Sequence, residues 1–217
     1  MGRHLAIHFA KRGANLVLAG RSLDHLKETA AIIETSAPAV KIFTLIVDLT
    51  RPDSIEAFLD ALASLNVPVR ALICTAAGFY KGSFGDLSAS SLADLIAANY
   101  GGVVNVILGL LRRVPRSSPL DIVPFTSVSA ATTLETGRSS SAHIATKAAL
   151  QLFSIVVGRE LSTQGVRITT MAPGTFGRGG RPGISEGTMA ECVQFIIDLP
   201  PDAWIETIAL RPTAASQ

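Results

Sequence analysis

The chain has 217 residues, of which 48% are hydrophobic and 17% are charged. At about 150 residues per domain, this length fits one large domain, and the apolar share excludes an intrinsically disordered chain. The formal net charge is only +2 with scattered lysines and arginines, so we expect no nucleic-acid partner. The two cysteines form no disulfide framework, which favours a reducing compartment.

The sequence shows no targeting or membrane segment. Residues 1–4 do not lead into the apolar core of a secretory signal, and the longest apolar run, 103–111, is interrupted by Asn105 and Gly109. A membrane span needs about 18 apolar residues. We therefore expect a cytoplasmic protein that does not bind membranes.

Short β-branched runs alternate with helical stretches along the chain. In chain order, the pattern predicts helices at residues 3–12, 23–35, 52–64, 91–113, 140–162 and 186–199. It predicts strands at residues 15–19, 41–47, 70–75, 121–126, 167–172 and 205–210. The strands are nearly continuous apolar runs, as in parallel sheets covered on both faces. This alternation predicts an α/β fold with a doubly wound parallel sheet.

Ligands of such sheets bind beyond the carboxyl ends of the strands. The loops at that edge are rich in Gly, Ser, Thr and Asp and comprise residues 19–22, 48–50, 75–78, 126–130 and 173–183. Residues 66–69 and 115–120, at the opposite edge, are interpreted as plain connectors.

Four polar residues lie on these loops or on the helices behind them. Asn99 lies inside a very apolar predicted helix, and Ser127 ends a predicted strand. His143 and Lys147 are four residues apart in a predicted helix, so they share one face about 6 Å apart along the axis. We predict that these four side chains converge on one cleft at the rim of the sheet.

In this order and at this spacing, the motifs of the chain resemble the short-chain dehydrogenase/reductase family. The motifs are Gly2-Arg3 with Lys11-Arg12-Gly13-Ala14, Asp48-Leu49, Ala76-Ala77-Gly78, Asn99-Tyr100-Gly101-Gly102, Thr126-Ser127, His143-x-x-x-Lys147-Ala148-Ala149 and Pro173-Gly174. The resemblance covers nearly the whole chain. It implies a Rossmann-like, three-layer αβα fold and an NAD(P)-dependent oxidoreductase that acts on a carbonyl or an alcohol.

The resemblance also implies a role for each catalytic candidate. Asn99 would hold a water and the helix geometry of the proton relay, and Ser127 would hydrogen-bond the substrate oxygen, with Ser129 as the alternative. Lys147 would bind the nicotinamide ribose and lower the pKa of the neighbouring acid. That acid is a tyrosine in the family, whereas this sequence has His143.

The same resemblance implies a set of cofactor-binding residues. Asp48 and Leu49 would flank the adenine, and Ala76, Ala77 and Gly78 would let the backbone approach the cofactor. The remaining contacts, at the helix start and near the carboxamide, would come from Gly2, Pro173, Gly174 and Thr175.

The choice of cofactor rests on the turn at residues 19–22. An NAD-binding site needs a carboxylate there for the ribose hydroxyls, and this turn has none. Arg21, helped by Ser22 and Arg3, has the charge to bind a 2′-phosphate. The sequence therefore favours NADP(H) over NAD(H).

The histidine at position 143 keeps other functions open. The pKa of a histidine starts near 6.5, against about 10 for tyrosine, and its ring is shorter than a phenol. We expect carbonyl reduction to be weak or redirected. The alternatives are a non-redox isomerase, dehydratase or cyclase with His143 as general base, or a catalytically inactive binding or oligomer partner.

The family pattern begins with a strand followed by Thr-Gly-x-x-x-Gly-x-Gly. The resemblance does not include this beginning, because the given sequence starts at the last of those glycines, Gly2. The missing strand would be central, and its neighbours would then lie about 9.6 Å apart, twice the usual spacing of roughly 4.8 Å. We expect residues 1–217 to form one N-terminally incomplete domain without the backbone cradle for a pyrophosphate.

We expect a small-molecule substrate and no metal. The predicted helices 91–113 and 140–162 are apolar enough to pair across a two-fold axis, as in the family. We therefore predict a homodimer or a homotetramer.

Overall fold

The computed structural model describes residues 1–80, 82–131, 141–177 and 182–213, in which helices alternate with strands. The helices are α1 (Gly2–Ala10), α2 (Leu23–Ser36), α3 (Pro52–Ser64), α4 (Ala89–Ile96), α5 (Gly102–Arg113), α6 (Val128–Ala131), α7 (Ser141–Leu161) and α8 (Glu186–Ile197). The strands are β1 (Leu16–Gly20), β2 (Ile42–Ile46), β3 (Val69–Cys74), β4 (Arg116–Pro124), β5 (Val166–Ile168), β6 (Thr170–Pro173) and β7 (Thr207–Leu210).

Every strand pair in the described residues is parallel, and helices cover the strands, so the predicted α/β class is confirmed. The strands form three groups, β1-β2, β3-β4-β5 and β6-β7. A bridge between Phe125 and Met171 links the second group to the third. Within the described residues, no backbone pairing links β1 to β3.

Three sequence predictions about the elements were wrong in detail. The predicted strand 167–172 is two strands on either side of Thr169, because β5 pairs with β4 whereas β6 pairs with β7. Most of the predicted connector 115–120 belongs to β4, because Leu120 pairs with Val166 on the neighbouring strand. The predicted helix 91–113 contains a π-helical turn, Ala97–Gly101, which carries Asn99.

A cavity of about 1300 Å³ separates β1 from β3. Leu5, Ala6 and Phe9 of α1 line one face of it, and Phe58, Leu62 and Leu110 of α3 and α5 line the other. It lies at the position expected for the central strand that precedes Gly2 in the family pattern. We call it the strand slot.

The main core lies between the sheet and helices α3, α5 and α7. A buried ion pair at the edge of this core joins Asp121 of β4 to Arg167 of β5, and Arg70 of β3 contacts the same carboxylate. Arg167 also donates to the carbonyls of Leu199, Pro200 and Ala203, so it fixes the chain after α8.

Two helical stretches in the described part of the chain are long and apolar enough to cross a membrane. They are Ala89–Arg113 and Ser141–Gln164, and 44% of an apolar 18-residue window in each is buried inside the fold. Both contain core-facing residues of α5 and α7, which is typical of the central helices of an α/β protein.

Candidate functional site

The carboxyl ends of β1, β2 and β3 meet at a second cavity, of about 240 Å³. Its lining includes six of the predicted cofactor residues, Arg21, Asp48, Leu49, Ala76, Ala77 and Gly78. The structure therefore brings the predicted adenosine-side residues together. Because these ends share one cavity, the three strands point in the same direction.

Local hydrogen bonds shape the Asp48 turn in this cavity. The Asp48 carboxylate accepts from the Thr50 backbone N–H at 2.9 Å and from the Thr50 hydroxyl at 2.7 Å. These bonds, with smaller contributions from Arg21 and Arg51, lower the pKa of Asp48 below its usual value. Asp48 thus stays ionised at neutral pH and holds the turn closed.

Gly102 allows this turn to lie against α5. A Cβ atom at position 102 would overlap the Leu49 carbonyl oxygen and the Leu49 side chain. The backbone of this turn and the start of α5 therefore approach more closely than any residue with a side chain would permit.

The predicted group of phosphate-binding residues is only partly assembled. Arg21 is exposed and lines the second cavity. The Ser22 hydroxyl accepts from the His25 backbone N–H and caps α2. Arg3 forms a two-pronged ion pair with Glu28, at 3.0 and 2.6 Å, and lines the strand slot with Gly2. The predicted help from Arg3 is therefore not supported, because its guanidinium is engaged elsewhere.

The backbone N–H and carbonyl groups of Gly78 join this cavity to the predicted catalytic residues. Asn99, fully buried, accepts from the Gly78 N–H at 2.7 Å and donates to the Gly78 carbonyl at 3.1 Å. Its amide also donates to the Thr146 hydroxyl at 3.1 Å, on α7. Asn99 therefore fixes the loop after β3 against the helix that carries His143 and Lys147.

His143 contacts the same Gly78 carbonyl as Asn99. Its Nδ1 lies 3.2 Å from the Gly78 carbonyl oxygen, and the Phe79 ring packs against the imidazole with centroids 5.0 Å apart. Because a carbonyl oxygen only accepts, this bond places a hydrogen on Nδ1. Burial lowers the pKa of His143 below 6.5, the charge of Lys147 lowers it further, and the bond to Gly78 opposes both. His143 is therefore neutral at pH 7, with the lone pair on Nε2.

Lys147 is 2% exposed, and its Nζ donates to the Phe125 carbonyl at 2.8 Å. Burial lowers the pKa of Lys147 to about 8. The bond ties α7 to the end of β4, two residues before Ser127. The predicted contact to a nicotinamide ribose stays a prediction.

Ser127 and the residues after β6 border the same end of the sheet. The Ser127 hydroxyl accepts from the backbone N–H of Ser129, the alternative candidate, at 3.3 Å. Gly174 donates to the Leu210 carbonyl at 2.8 Å, and a Cβ atom on Gly174 would lie 3.6 Å from the Val128 side chain. Pro173 ends β6, and Thr175 accepts from the Ile184 N–H at 2.9 Å.

Contacts join Asn99, His143 and Gly78 directly, and Lys147 is joined to the strand end that leads to Ser127. Sequence reasoning missed Thr146 and Phe79. Thr146 was detectable, since it lies three residues after His143 on the same helix face. Phe79 follows directly after the Ala76-Ala77-Gly78 motif, but only the fold shows that its ring meets His143.

Comparison with known families and proteins agrees with this geometry. The family described as short chain dehydrogenase matches residues 1–181. A probable oxidoreductase, EphD, of Mycobacterium tuberculosis is 31% identical over 177 residues, which are 81% of this chain. The match spans only 29% of the length of that relative. An uncharacterized oxidoreductase of Staphylococcus epidermidis is 24% identical over 98% of this chain and 92% of its own length.

Solved structures show the same fold. An alcohol dehydrogenase from Thermococcus sibiricus, in complex with 5-hydroxy-NADP, has a TM-score of 0.84 at 22% identity, over 97% of this chain and 91% of its own. The L-sorbose reductase of Gluconobacter frateurii, in complex with NADPH and L-sorbose, has a TM-score of 0.83 at 19% identity, over 95% and 88%.

Proposed function

Because this chain belongs to the short-chain dehydrogenase family, we propose that it is an oxidoreductase that transfers a hydride between NADP(H) and a small carbonyl or alcohol. The observation that carries the proposal is that Asn99 and His143 both contact the backbone of Gly78. One side of that loop lines the second cavity, and its carbonyl contacts the His143 ring. A nucleotide in the cavity would thus lie beside the proton-carrying group.

The residues at the second cavity fit the adenosine end of a dinucleotide. Arg21 and the Asp48 turn offer a cation and hydrogen-bonding groups for a ribose phosphate, in a cavity of about 240 Å³. This volume is just below the range of roughly 300–1,000 Å³ that is usual for whole ligands, so it suits part of a dinucleotide. The nicotinamide supplies or accepts the hydride when it is bound. Support for NADP over NAD comes from Arg21 and the lack of an acid in residues 19–22.

We infer that His143 carries the proton and Lys147 supports it. In alcohol oxidation, the Nε2 lone pair accepts the hydroxyl proton while the hydride leaves the alcohol carbon. In reduction, a protonated His143 returns that proton to the carbonyl oxygen. Ser127 holds the substrate oxygen, and Asn99 fixes the loop and α7 through Gly78 and Thr146. Since the pKa of His143 is lowered, oxidation has the matching protonation state at neutral pH.

The pH dependence tests this assignment. We expect the rate of alcohol oxidation to rise with pH up to the lowered pKa of His143, below 6.5, and then to stay level. Carbonyl reduction should fall by about tenfold per pH unit above that pKa, since the protonated ring is lost. Steady-state rates with NADP⁺ and NADPH over panels of small alcohols and carbonyls measure both limbs.

Variants at position 143 complete the experiment. His143→Tyr is expected to raise NADPH oxidation, and His143→Ala to abolish it, while His4→Gln, which changes an exposed histidine on α1, should leave it unchanged. Binding of NADPH without turnover in both the wild type and His143→Tyr would contradict the proposal.

The lone pair on the neutral imidazole of His143 also suits a general base in isomerisation, dehydration or cyclisation. A turnover that needs His143 and no nucleotide would establish that second candidate.

We also propose that the chain forms a homodimer or homotetramer in the cytoplasm. Leu152 and Val156 are 65% and 46% exposed on α7, and Leu108 is 42% exposed on α5. Such apolar positions on the two long helices suit a subunit interface. Sedimentation of the wild type as a monomer would contradict it, and Leu152→Lys should dissociate the oligomer.

A further inference from the structure

Two consecutive loop residues, Gly78 and Phe79, contact the His143 imidazole from two directions. The Gly78 carbonyl oxygen lies 3.2 Å from Nδ1, and the Phe79 ring packs against the imidazole with centroids 5.0 Å apart and planes tilted by 58°. The side-chain torsion next to a histidine ring is broad, so one hydrogen bond does not stop an imidazole from pivoting. The ring contact restricts that pivot, and the two contacts together fix the position of Nε2.

The packing of Phe79 against His143 does not serve the core. The Phe79 side chain is 53% exposed, and within the part of the chain that the structure describes it belongs to none of the hydrophobic clusters that form the core. Aromatic rings at this separation attract one another beyond the surface that they bury. The contact with the imidazole is thus a local one, between a loop residue and the group that we propose carries the proton.

The backbone that presents Phe79 is held in place by Asn99. The buried amide of Asn99 accepts from the Gly78 N–H and donates to the Gly78 carbonyl. It also donates to the Thr146 hydroxyl, three residues after His143 on α7. The loop and the helix therefore form one framework, in which the Phe79 ring meets the imidazole from a fixed backbone position.

We propose that Phe79 is a positioning residue for His143, whose ring confines the imidazole to the orientation in which Nδ1 bonds to Gly78 and Nε2 is presented for proton transfer. The inference rests on the proposed function, in which Nε2 exchanges the proton with the substrate oxygen. Phe79 touches neither the proton nor the hydride, and it acts through the ring that it holds.

The Phe79 ring also keeps water from one side of the imidazole. Burial is the largest cause that lowers the pKa of His143, and the bond to Gly78 opposes it. Among the described residues, Lys147 is the charged group that lowers this pKa further. Cys74, near Lys147 at the end of β3, adds no charge, because burial raises the pKa of its thiol to about 12. Removal of the Phe79 ring should therefore raise the pKa of His143 toward 6.5.

The direct test compares Phe79→Ala with Phe84→Ala in the full chain without nucleotide. Phe84 lies further along the same connection and is 78% exposed, so the same truncation there is the matched control. NMR of protein with 15N-labelled histidine follows the four imidazoles through a pH titration, and His143→Ala identifies the signal of His143.

We expect Phe79→Ala to raise the pKa of His143 toward 6.5 and to mix its two neutral tautomers, because the bond to Gly78 then no longer selects one. Phe84→Ala should leave both properties at their wild-type values. A pKa and a tautomer that stay unchanged in Phe79→Ala, or that change equally in Phe84→Ala, would overturn the proposal.

A conservative variant separates positioning from a merely structural role. Phe79→Leu keeps an apolar side chain against the imidazole, so we expect it to retain the lowered pKa and the single tautomer of His143. Urea denaturation of the same variants measures the free energy of unfolding. A loss of stability in Phe79→Ala with an unaltered His143 titration would show a structural role alone, and would overturn the proposal.

Turnover supplies the second readout. A misplacement of about 1 Å can cost roughly a hundredfold in rate, so Phe79→Ala should lower kcat for alcohol oxidation by roughly ten- to a hundredfold. The KM for NADP⁺ should stay unchanged, and Phe79→Leu should recover most of kcat. A wild type without turnover would contradict the proposed function, while the titration still decides the role of Phe79. An active wild type with an unaltered kcat in Phe79→Ala would overturn this inference alone.

Discussion

Strands β3 and β4 are neighbours in one parallel pair, yet their surroundings differ. Residues 120–124 of β4 are all buried, whereas every residue of β3 is only partly buried. The difference comes from the other neighbour of each strand, since β4 also pairs with β5 while β3 faces the strand slot. The same apolar type of sequence thus buries less surface where no described strand pairs with its second side.

The largest effect is expected where β4 has a strand on both sides, at the buried ion pair between Asp121 and Arg167. Asp121→Asn leaves Arg167, 5% exposed, without its counter-charge, and we expect a loss of about 3–5 kcal/mol in the free energy of unfolding. Urea denaturation measures it. Asp60→Asn, at an exposed ion pair with Arg113, should cause no measurable change. Equal losses in both variants would contradict the contrast.

A pair of isoleucines compares the two strands directly. Ile122 of β4 is fully buried, and Ile73 of β3 is partly exposed at the slot. We expect Ile122→Ala to cost roughly 2–5 kcal/mol and Ile73→Ala about 1 kcal/mol, because the latter removes less buried surface. The same urea titrations decide. If Ile73→Ala proved as costly as Ile122→Ala, the slot would already be filled in the free protein.

The buried Lys147 of α7, which bonds to the chain just after β4, makes the free energy of unfolding depend on pH. Its pKa is about 8 in the folded chain, so between pH 8 and 10.5 the unfolded chain binds more protons at this residue. The free energy of unfolding should therefore rise with pH across that window, by about 3 kcal/mol in total. Lys147→Met should remove the rise and abolish the oxidoreductase activity, whereas the exposed Lys27→Met keeps the wild-type profile. If the free energy of unfolding still rose between pH 8 and 10.5 in Lys147→Met, another titrating group would be responsible for the rise.

The smallest expected effect concerns the β1–β2 side, where the proposed nucleotide selectivity lies. Arg21→Ala should weaken NADPH binding by about tenfold, as for loss of one charge-assisted bond, and leave NADH binding unchanged. Fluorescence titration measures both. Arg51→Ala, whose guanidinium pairs with Asp53, is the matched control. Equal weakening of both nucleotides would show that Arg21 does not recognise a 2′-phosphate.

The sequence was sufficient for features that depend on spacing. Asn99 and His143 were predicted from their order and register, and the fold joins both to Gly78. The sequence was insufficient where a contact is made by a backbone group, or where the neighbouring strand determines the bounds of a strand. The Gly78 and Phe125 carbonyls carry no side-chain signal, and no residue in 167–172 signals that the pairing partner changes from β4 to β7 at Thr169. Residues 116–120 lack a typical strand pattern and become a strand through their neighbours.

The position of Asn99 in a π-helical turn has a consequence for how the molecule can respond to ligands. The wider turn places the amide of Asn99 against the N–H and the carbonyl of Gly78. Because the His143 ring contacts the same carbonyl, a dinucleotide that displaces this loop must also displace the imidazole. The chemical shifts of the His143 ring should therefore report nucleotide occupancy from a neighbouring compartment, before any substrate is present.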